Sequence, residues 1–503
     1  MKRILIAIMA AACLSSAMAQ AQERLPEYLQ AEKFTQEKLS TMLFSTTVDP
    51  HWFQKGNCFW YEYKTSDGTQ WYVVDPSKKK QTPLFDRDEL AAQLTETVRD
   101  PYDARHLPIR NLKAKEDGKT FTFEVTSTKE VKNEKGKMEK EVFHFSYDWP
   151  TRTLTHLKDK EKEPKRLSWG SISPDKKTVV YAKDLNLYRM SYEDYQKARK
   201  DENDSTIVEI QLTTDGAKDF GYGMPYKTVN TDTLLNGKRR AVYGMWSPDS
   251  RHFATILTDE REVKDLWVIN VMSKPRPTLE TYKYQMPGEP GPIVTMELFD
   301  FEKKSSKFIN IAKFKEQTVE LFRKPSTLKN MYERPHKRVW LGTDKEFYFQ
   351  RPSRDLKKIE VCRVNVETDS AITIVHEEMN TSIESRQIKV VNNGKNFIQW
   401  SERTGWAMLY LYDMNGNLVN PITEGAFHVD EILAVNDKEK KVYFTANGYN
   451  DGENPYYAHL FSVGYDGEGL KQLDKGEINF DVLISTPQYM PKLGKYARLL
   501  GPK

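Results

Sequence analysis

Apolar and aromatic residues along this chain come in short runs broken by turn residues. Cys58-Phe59-Trp60-Tyr61-Glu62-Tyr63 is followed by Asp67-Gly68 and then by Trp71-Tyr72-Val73-Val74. Phe121-Thr122-Phe123-Glu124-Val125 follows Asp117-Gly118, and Tyr410-Leu411-Tyr412-Asp413 precedes Asn415-Gly416. Asp466-Gly467 separates Leu460-Phe461-Ser462-Val463 from Leu470-Lys471-Gln472-Leu473. Asp-Gly and Asn-Gly between β-rich runs predict tight hairpins with both turn positions at φ > 0. Helical spacing is confined to two places. Residues 26–43 (Tyr28, Leu29, Phe34, Leu39, Leu43) read as one amphipathic helix, and Asp86 to Leu94 as a second, capped by Asp86 or Asp88.

The strand pattern repeats. Ile172-Ser173-Pro174-Asp175 leads into Thr178-Val179-Val180-Tyr181 and then Asn186-Leu187-Tyr188. Trp246-Ser247-Pro248-Asp249 leads into His252-Phe253-Ala254-Thr255 and then Asp265-Leu266-Trp267-Val268. Weaker echoes begin near Asn57, Glu116, Asp344, Asn393 and Asp437. Radial repetition of four-stranded blades lets many short strands avoid free edges. The reading is therefore an all-β fold, a β-propeller of seven or eight blades at about 50–60 residues each, with a short N-terminal helical arm. Lys113 to Arg166 mixes Lys and Glu and reads as a solvated hairpin of one blade.

Composition narrows the classes. Lys and Arg total 76 against 72 for Asp and Glu, a net charge of +4, which excludes nucleic-acid binding driven by bulk charge. Lys2 and Arg3, an apolar run from Ile4 to Leu14 and the site Ala17-Met18-Ala19 form a secretory signal peptide cleaved after Ala19, too short to span a bilayer. The reading is thus a periplasmic or secreted protein with no membrane span. Cys13 falls within that signal, and its setting lacks the Leu of a lipoprotein site. Cys58 and Cys362 remain, and read as two buried free thiols.

The search for chemistry is largely negative. No Gly is followed two positions later by Ser, so a Gly-x-Ser-x-Gly nucleophile turn is absent from these 503 residues and no catalytic residue is assigned. No His-Glu-x-x-His occurs, and two Cys cannot make a thiolate site, so no metal or other cofactor is expected. Asp413-x-Asn415-Gly416-Asn417 has part of a calcium loop without its distal Glu, and reads as a turn. Glu377-Glu378 and the pair Glu260 and Glu262 read as solvated acids.

Several stretches, in order along the chain, resemble the N-terminal propeller of dipeptidyl peptidase IV and its bacterial relatives in the prolyl oligopeptidase family. Pro83-Leu84-Phe85-Asp86 with Leu90-Ala91-Ala92 is similar to the family's early helix. Leu167 to Tyr188 resembles a blade, and Gln211-Leu212-Thr213-Thr214-Asp215-Gly216 the strand and turn after it. Tyr282 to Pro287 resembles the crossing segment. Trp400-Ser401-Glu402-Arg403-Thr404-Gly405-Trp406 with Leu409 to Tyr412, and Asn454-Pro455-Tyr456-Tyr457 with His459-Leu460, complete the series, which covers about residues 45–475.

In that family the propeller caps an α/β-hydrolase domain with a Ser-Asp-His triad. Substrates are peptides with Pro or Ala near the N-terminus, and a Glu pair of the propeller binds the free amine. The resemblance implies the organisation 1–19 signal peptide, 20–50 helical arm, 51–475 propeller and 476–503 irregular tail where the hydrolase linker begins. It implies Asp219 and Tyr222 as substrate-binding residues, with Gly223 and Met224 where the Glu pair stands in the family. The expected function is the substrate-gating propeller of a prolyl-specific serine peptidase, truncated before its catalytic domain and inactive alone. A separately encoded hydrolase domain and peptides are its expected partners. The alternative is a stand-alone propeller that binds peptide or protein.

Overall fold

The computed structural model describes residues 48–53, 57–132, 138–157, 167–224, 234–323 and 338–474, with a few positions between 34 and 45. The signal peptide, most of the 26–43 helix and the 476–503 tail lie outside the described residues. The chain divides into two compact units, one up to Asp159 and one from Lys160.

The first unit holds two four-stranded antiparallel meanders. One runs through His51–Trp52, Phe59–Thr65, Gly68–Asp75 and Lys80–Pro83; the other through Ile109–Ala114, Thr120–Lys132, Met138–Asp148 and Thr153–His156. Trp60, Trp71 and Val73 of one sheet share a core with Phe121, Phe123 and Phe145 of the other. The helix α1, Arg87–Val98, adds Leu90, Ala91 and Leu94 to that core. Asp86 is its cap, its Oδ1 accepting the Glu89 N–H at 3.2 Å, so the expected helix is present and ends one turn later than read. The outer half of the Thr120–Lys132 hairpin is exposed, as its mixed charges predict.

The second unit holds five antiparallel sheets of four or five strands. Their second strands are Thr178–Lys183, His252–Asp259, Glu346–Pro352, Asn396–Ser401 and Lys441–Asn447. These strands are apolar on both faces. Along His252–Asp259, Phe253 and Leu257 pack with Val180 and Leu187 of the sheet before, while Ala254 and Ile256 pack with Phe347 and Phe349 of the sheet after. Tyr348, between those two Phe, faces the next core with Phe397 and Leu409. A strand buried on both sides reads as a continuous apolar run rather than an alternation. The architecture is the all-β, blade-by-blade packing read from the sequence, with seven such sheets among the described residues.

Two expectations need correction. Asp265–Asn270 is not the third strand of its sheet. It pairs with Thr278–Lys283 as a separate two-stranded ribbon, and Ile293–Asp300 takes the expected place beside His252–Asp259. The reason is burial: Met296, Leu298 and Phe299 are enclosed, whereas Trp267 and Ile269 are 72% and 65% exposed. The turns at Asp67-Gly68, Asp117-Gly118, Asn415-Gly416 and Asp466-Gly467 have positive φ only at Gly. The carboxylate before or within the turn holds the loop instead; Asp117 Oδ1 accepts from the N–H groups of Lys119 and Thr120, and Asp413 Oδ1 from Asn415 and Asn417. At Gly416 the requirement is absolute, since φ is 89° and a Cβ would lie 1.8 Å from the Ile374 carbonyl oxygen. Asp413 is thus taken up by its own turn.

A helix was missed. α2, Tyr192–Lys200, starts at Ser191, whose Oγ accepts the Asp194 N–H at 3.0 Å, and it buries Tyr195 and Ala198. Both cysteines are free thiols, one in each unit; Cys58 is only half-buried, while burial pushes the Cys362 thiol up to about 12.

The second unit also encloses an ion pair. Arg351 reaches Glu360 through Nε at 2.7 Å and NH2 at 2.6 Å, with side chains 5% and 3% exposed. Burial alone would raise the Glu360 carboxyl, but Arg351 and Thr373 outweigh it and hold it below the usual range. Deleting one member strands the other charge. Glu360→Leu should cost about 3–5 kcal/mol of unfolding free energy in a denaturant titration. A loss under about 1 kcal/mol would show that the pair is solvated.

Candidate functional site

The segment Asp219 to Met224 enters the second unit as a short strand, Phe220–Gly221, paired with Thr258 and Asp259. A tight reciprocal pair, Ala217 with Phe220, turns the chain just before it, and Asp219 takes φ 59°, which Asp tolerates better than most residues. The Asp219 carbonyl accepts the Glu260 N–H at 2.7 Å, and the Tyr222 N–H donates to Leu185 at 2.9 Å. These bonds fix the loop against two neighbouring sheets.

The structure places the two implied substrate-binding residues in different surroundings. The Asp219 carboxylate meets the Lys283 ammonium at 3.1 Å. Lys283 also donates to the Val263 carbonyl at 2.9 Å and lies 3.5 Å from Asp265. Both side chains are largely enclosed, so the pair is a strong one for its kind. Glu260 stands beside it with its carboxyl raised by burial and by the Asp219 charge, against the pull of Lys283.

Tyr222 is 1% exposed. Its hydroxyl donates to the Glu297 carboxylate, itself buried on the third strand of the sheet. Burial raises the Glu297 carboxyl, while bonds from Tyr222 and Ser306 pull it down less strongly. Tyr222 therefore supports the loop from below, and Asp219 faces an internal cation.

Gly223 explains why a carboxylate side chain is missing. Its φ is 67°, and a Cβ would lie 2.5 Å from the Ala182 Cβ and 3.0 Å from the Ala241 carbonyl oxygen. The backbone passes too close to the preceding sheet for any side chain. Met224 follows as a half-buried residue and brings no charge.

Sequence reading found Asp219 and Tyr222 but not the groups that define their chemistry. By sequence Glu260 is one of two solvated acids, and Lys283 carries no signal within Tyr282 to Pro287. Glu297 gave no local signal, because it reaches Tyr222 only through strand pairing. Of the other acids, Glu377 bonds Arg403 at 2.5 Å and Gln399 at 2.9 Å, while Glu378 faces Lys358 at 2.9 Å. They point to opposite faces of one strand and form no pair.

Comparison with known proteins gives a consistent picture. The family described as the dipeptidyl peptidase IV (DPP IV) N-terminal region matches residues 116–490. A probable dipeptidyl-aminopeptidase B of Pyrenophora teres is 26% identical over 247 residues, which is 47% of this chain and 24% of the relative. Dipeptidyl peptidase 4 of Trichophyton tonsurans is 24% identical over 336 residues, 64% of this chain and 38% of the relative. The chain thus spans well under half the length of these relatives. The crystal structure of Porphyromonas gingivalis dipeptidyl peptidase 4 matches in fold with a TM-score of 0.50 at 18% identity, covering 88% of this chain and 55% of that one.

Two measurements check the local chemistry. Lys283→Met leaves Asp219 enclosed without its ammonium and should lower unfolding free energy by about 3 kcal/mol, with Asp219→Asn in the same chain restoring most of it. A double-variant loss equal to the sum of the two single-variant losses would show that the pair is not coupled. Glu297 keeps its proton to higher pH in the fold than when exposed. Its contribution is complete below the ordinary carboxylate range and fades as pH rises through its raised pKa. Glu297→Gln should therefore flatten the decline of stability with rising pH; an unchanged slope in a pH series of melts would contradict this.

Proposed function

The chain belongs to the family of dipeptidyl peptidase IV N-terminal regions, and from that premise we propose that it is the substrate-gating propeller of a dipeptidyl-aminopeptidase-like serine peptidase specific for prolyl or alanyl peptides. The observation that carries this reading is the family match over residues 116–490, which spans sheets of both units. The blade-like sheets supply a rigid frame, and the loop at Asp219 to Met224 sits on it, held by Tyr222 from beneath. Asp219 and Tyr222 shape the peptide-facing surface rather than donate groups to the reaction. Cleavage belongs to a hydrolase domain, because these residues contain no Gly-x-Ser-x-Gly turn to present a nucleophile. A charged start, an apolar stretch and the Ala17-Met18-Ala19 site support export to the periplasm or beyond. No helix among the described residues is long and apolar enough to cross a membrane.

A second reading, a propeller that binds peptide or protein without serving a peptidase, is favoured by one observation. Lys283 already fills the cation position at Asp219, and Gly223 leaves no room for another acid.

Incubating the purified chain with chromogenic X-Pro and X-Ala dipeptides tests the proposal. No release is expected from the chain alone, with X-Pro peptides nevertheless binding in a calorimeter. Release that is lost when one serine of this chain is replaced would overturn the assignment of cleavage to another domain. Absence of any peptide binding would overturn the gating role.

A further inference from the structure

Four arginines of the second unit share one arrangement. Arg239 meets Glu209 at 2.7 Å, Arg251 meets Asp300 at 2.9 Å, Arg403 meets Glu377 at 2.5 Å, and the enclosed Arg351 meets Glu360. Each of these four guanidiniums is answered by a carboxylate, which offsets the cost of desolvation. Arg338 breaks the pattern.

Arg338 lies opposite Arg323 in an isolated antiparallel bridge, between two short first-strand segments of one sheet, Glu320–Leu321 and Gly342–Thr343. Its guanidinium lies over the Tyr243 ring, 4.3 Å from the centroid. That ring is itself fixed, because the Tyr243 hydroxyl donates to the Val319 carbonyl at 3.2 Å and accepts the Leu321 N–H at 3.0 Å. The NH1 atom is buried and has no hydrogen-bond partner among the described residues. Neither Arg338 nor Arg323 forms an ion pair among the described residues. The nearest acid to be felt, Glu320, has its carboxylate engaged by the Ser385 hydroxyl. Burial and the charge of Arg323 both disfavour the Arg338 cation, opposed by Tyr243 and Glu320.

Two guanidiniums brought close without a carboxylate between them, one stacked rigidly and carrying an unanswered donor, lack one component. The missing partner is an acceptor with negative charge. The planar fork of Arg suits a two-oxygen anion, and the stacking on Tyr243 means little side-chain freedom is lost on binding.

We propose that Arg338, with Arg323 beside it, forms an oxyanion-binding site that takes the carboxylate of a peptide ligand. The peptide part of this assignment rests on the peptide-handling role proposed above; the oxyanion part rests on the two arginines alone. The site accounts for a buried donor that the described residues leave unanswered and gives the second unit a means to orient a ligand by its acidic end.

Calorimetric titration of the full chain tests it with three probes: the tripeptide Gly-Pro-Ala, its C-terminal amide, and inorganic phosphate. The tripeptide should bind about tenfold tighter than the amide. Arg338→Gln should erase that difference and Arg323→Gln should reduce it, while Arg152→Gln, the same charge change in the first unit, should leave it intact. Arg323 is exposed, so its variant reports even if Arg338→Gln lowers the melting temperature. Phosphate binding that depends on both arginines, without tripeptide binding, would support the oxyanion site and overturn its peptide ligand. Failure of every probe to bind, or binding unchanged in Arg323→Gln and Arg338→Gln, would overturn the site.

Discussion

The larger unit depends on sheets that are apolar on both faces. A four-stranded antiparallel sheet with one wet face can stand alone; one carrying Phe253 and Leu257 on one side and Ala254 and Ile256 on the other cannot. It must be sandwiched. Three cores of this unit are therefore shared between consecutive sheets, and these sheets depend on their neighbours. Removing the neighbour would expose whole rows of aromatic and branched side chains at once, each worth roughly 1.5–3 kcal/mol of burial.

Hydrophobic burial is non-directional and does not set how sheets are aligned. Polar bonds at the first turns of several sheets supply the alignment. The Asp175 N–H donates to Ser250 of the next sheet at 2.9 Å, and the Asp249 N–H to Asp344 of the one after at 3.0 Å. Later, Asn392 and Asn393 donate to Asp437 at 2.8 and 2.9 Å. The Ser-Pro-Asp turns serve this purpose. Ser173 bonds Asp175, Ser247 bonds Asp249, and the pattern returns without proline at Ser353 and Asp355. In all three the hairpin turns through a residue at positive φ, Lys176, Ser250 or Leu356. The shared geometry comes from Ser and Asp; the proline is dispensable.

These bonds also explain which features could be read from the chain. The strand runs and the echoes near Asp344, Asn393 and Asp437 were legible because the turns that begin them are built from local residues, within a few positions of one another. α2 was hidden by its brevity and by Tyr and Lys, which do not mark a face, although Ser191 with Asp194 is a fair start signal. The ribbon at Asp265–Asn270 misled because its alternation of Leu266, Trp267 and Val268 is that of any strand. Only tertiary burial distinguishes it from Ile293–Asp300. The candidate site was half legible for the same reason. Asp219 and Tyr222 belong to one short segment, whereas Lys283 and Glu297 arrive from strands more than sixty positions away, and nothing near them announces the meeting. The lack of room at Gly223 is likewise set by Ala182, in another sheet.

The contact between Lys283 and Asp219 means that this carboxylate is already answered within the fold. Any external cation reaching that carboxylate does so by displacing an ammonium already present, so its apparent affinity is a difference between two similar interactions and is correspondingly modest. Lys283 also closes the foot of the exposed ribbon through the Val263 carbonyl. A cation that displaces it loosens the ribbon, and whatever orders the ribbon holds the lysine in place. By linkage, the occupancy of Asp219 and the order of a strand pair outside the core draw on one free energy.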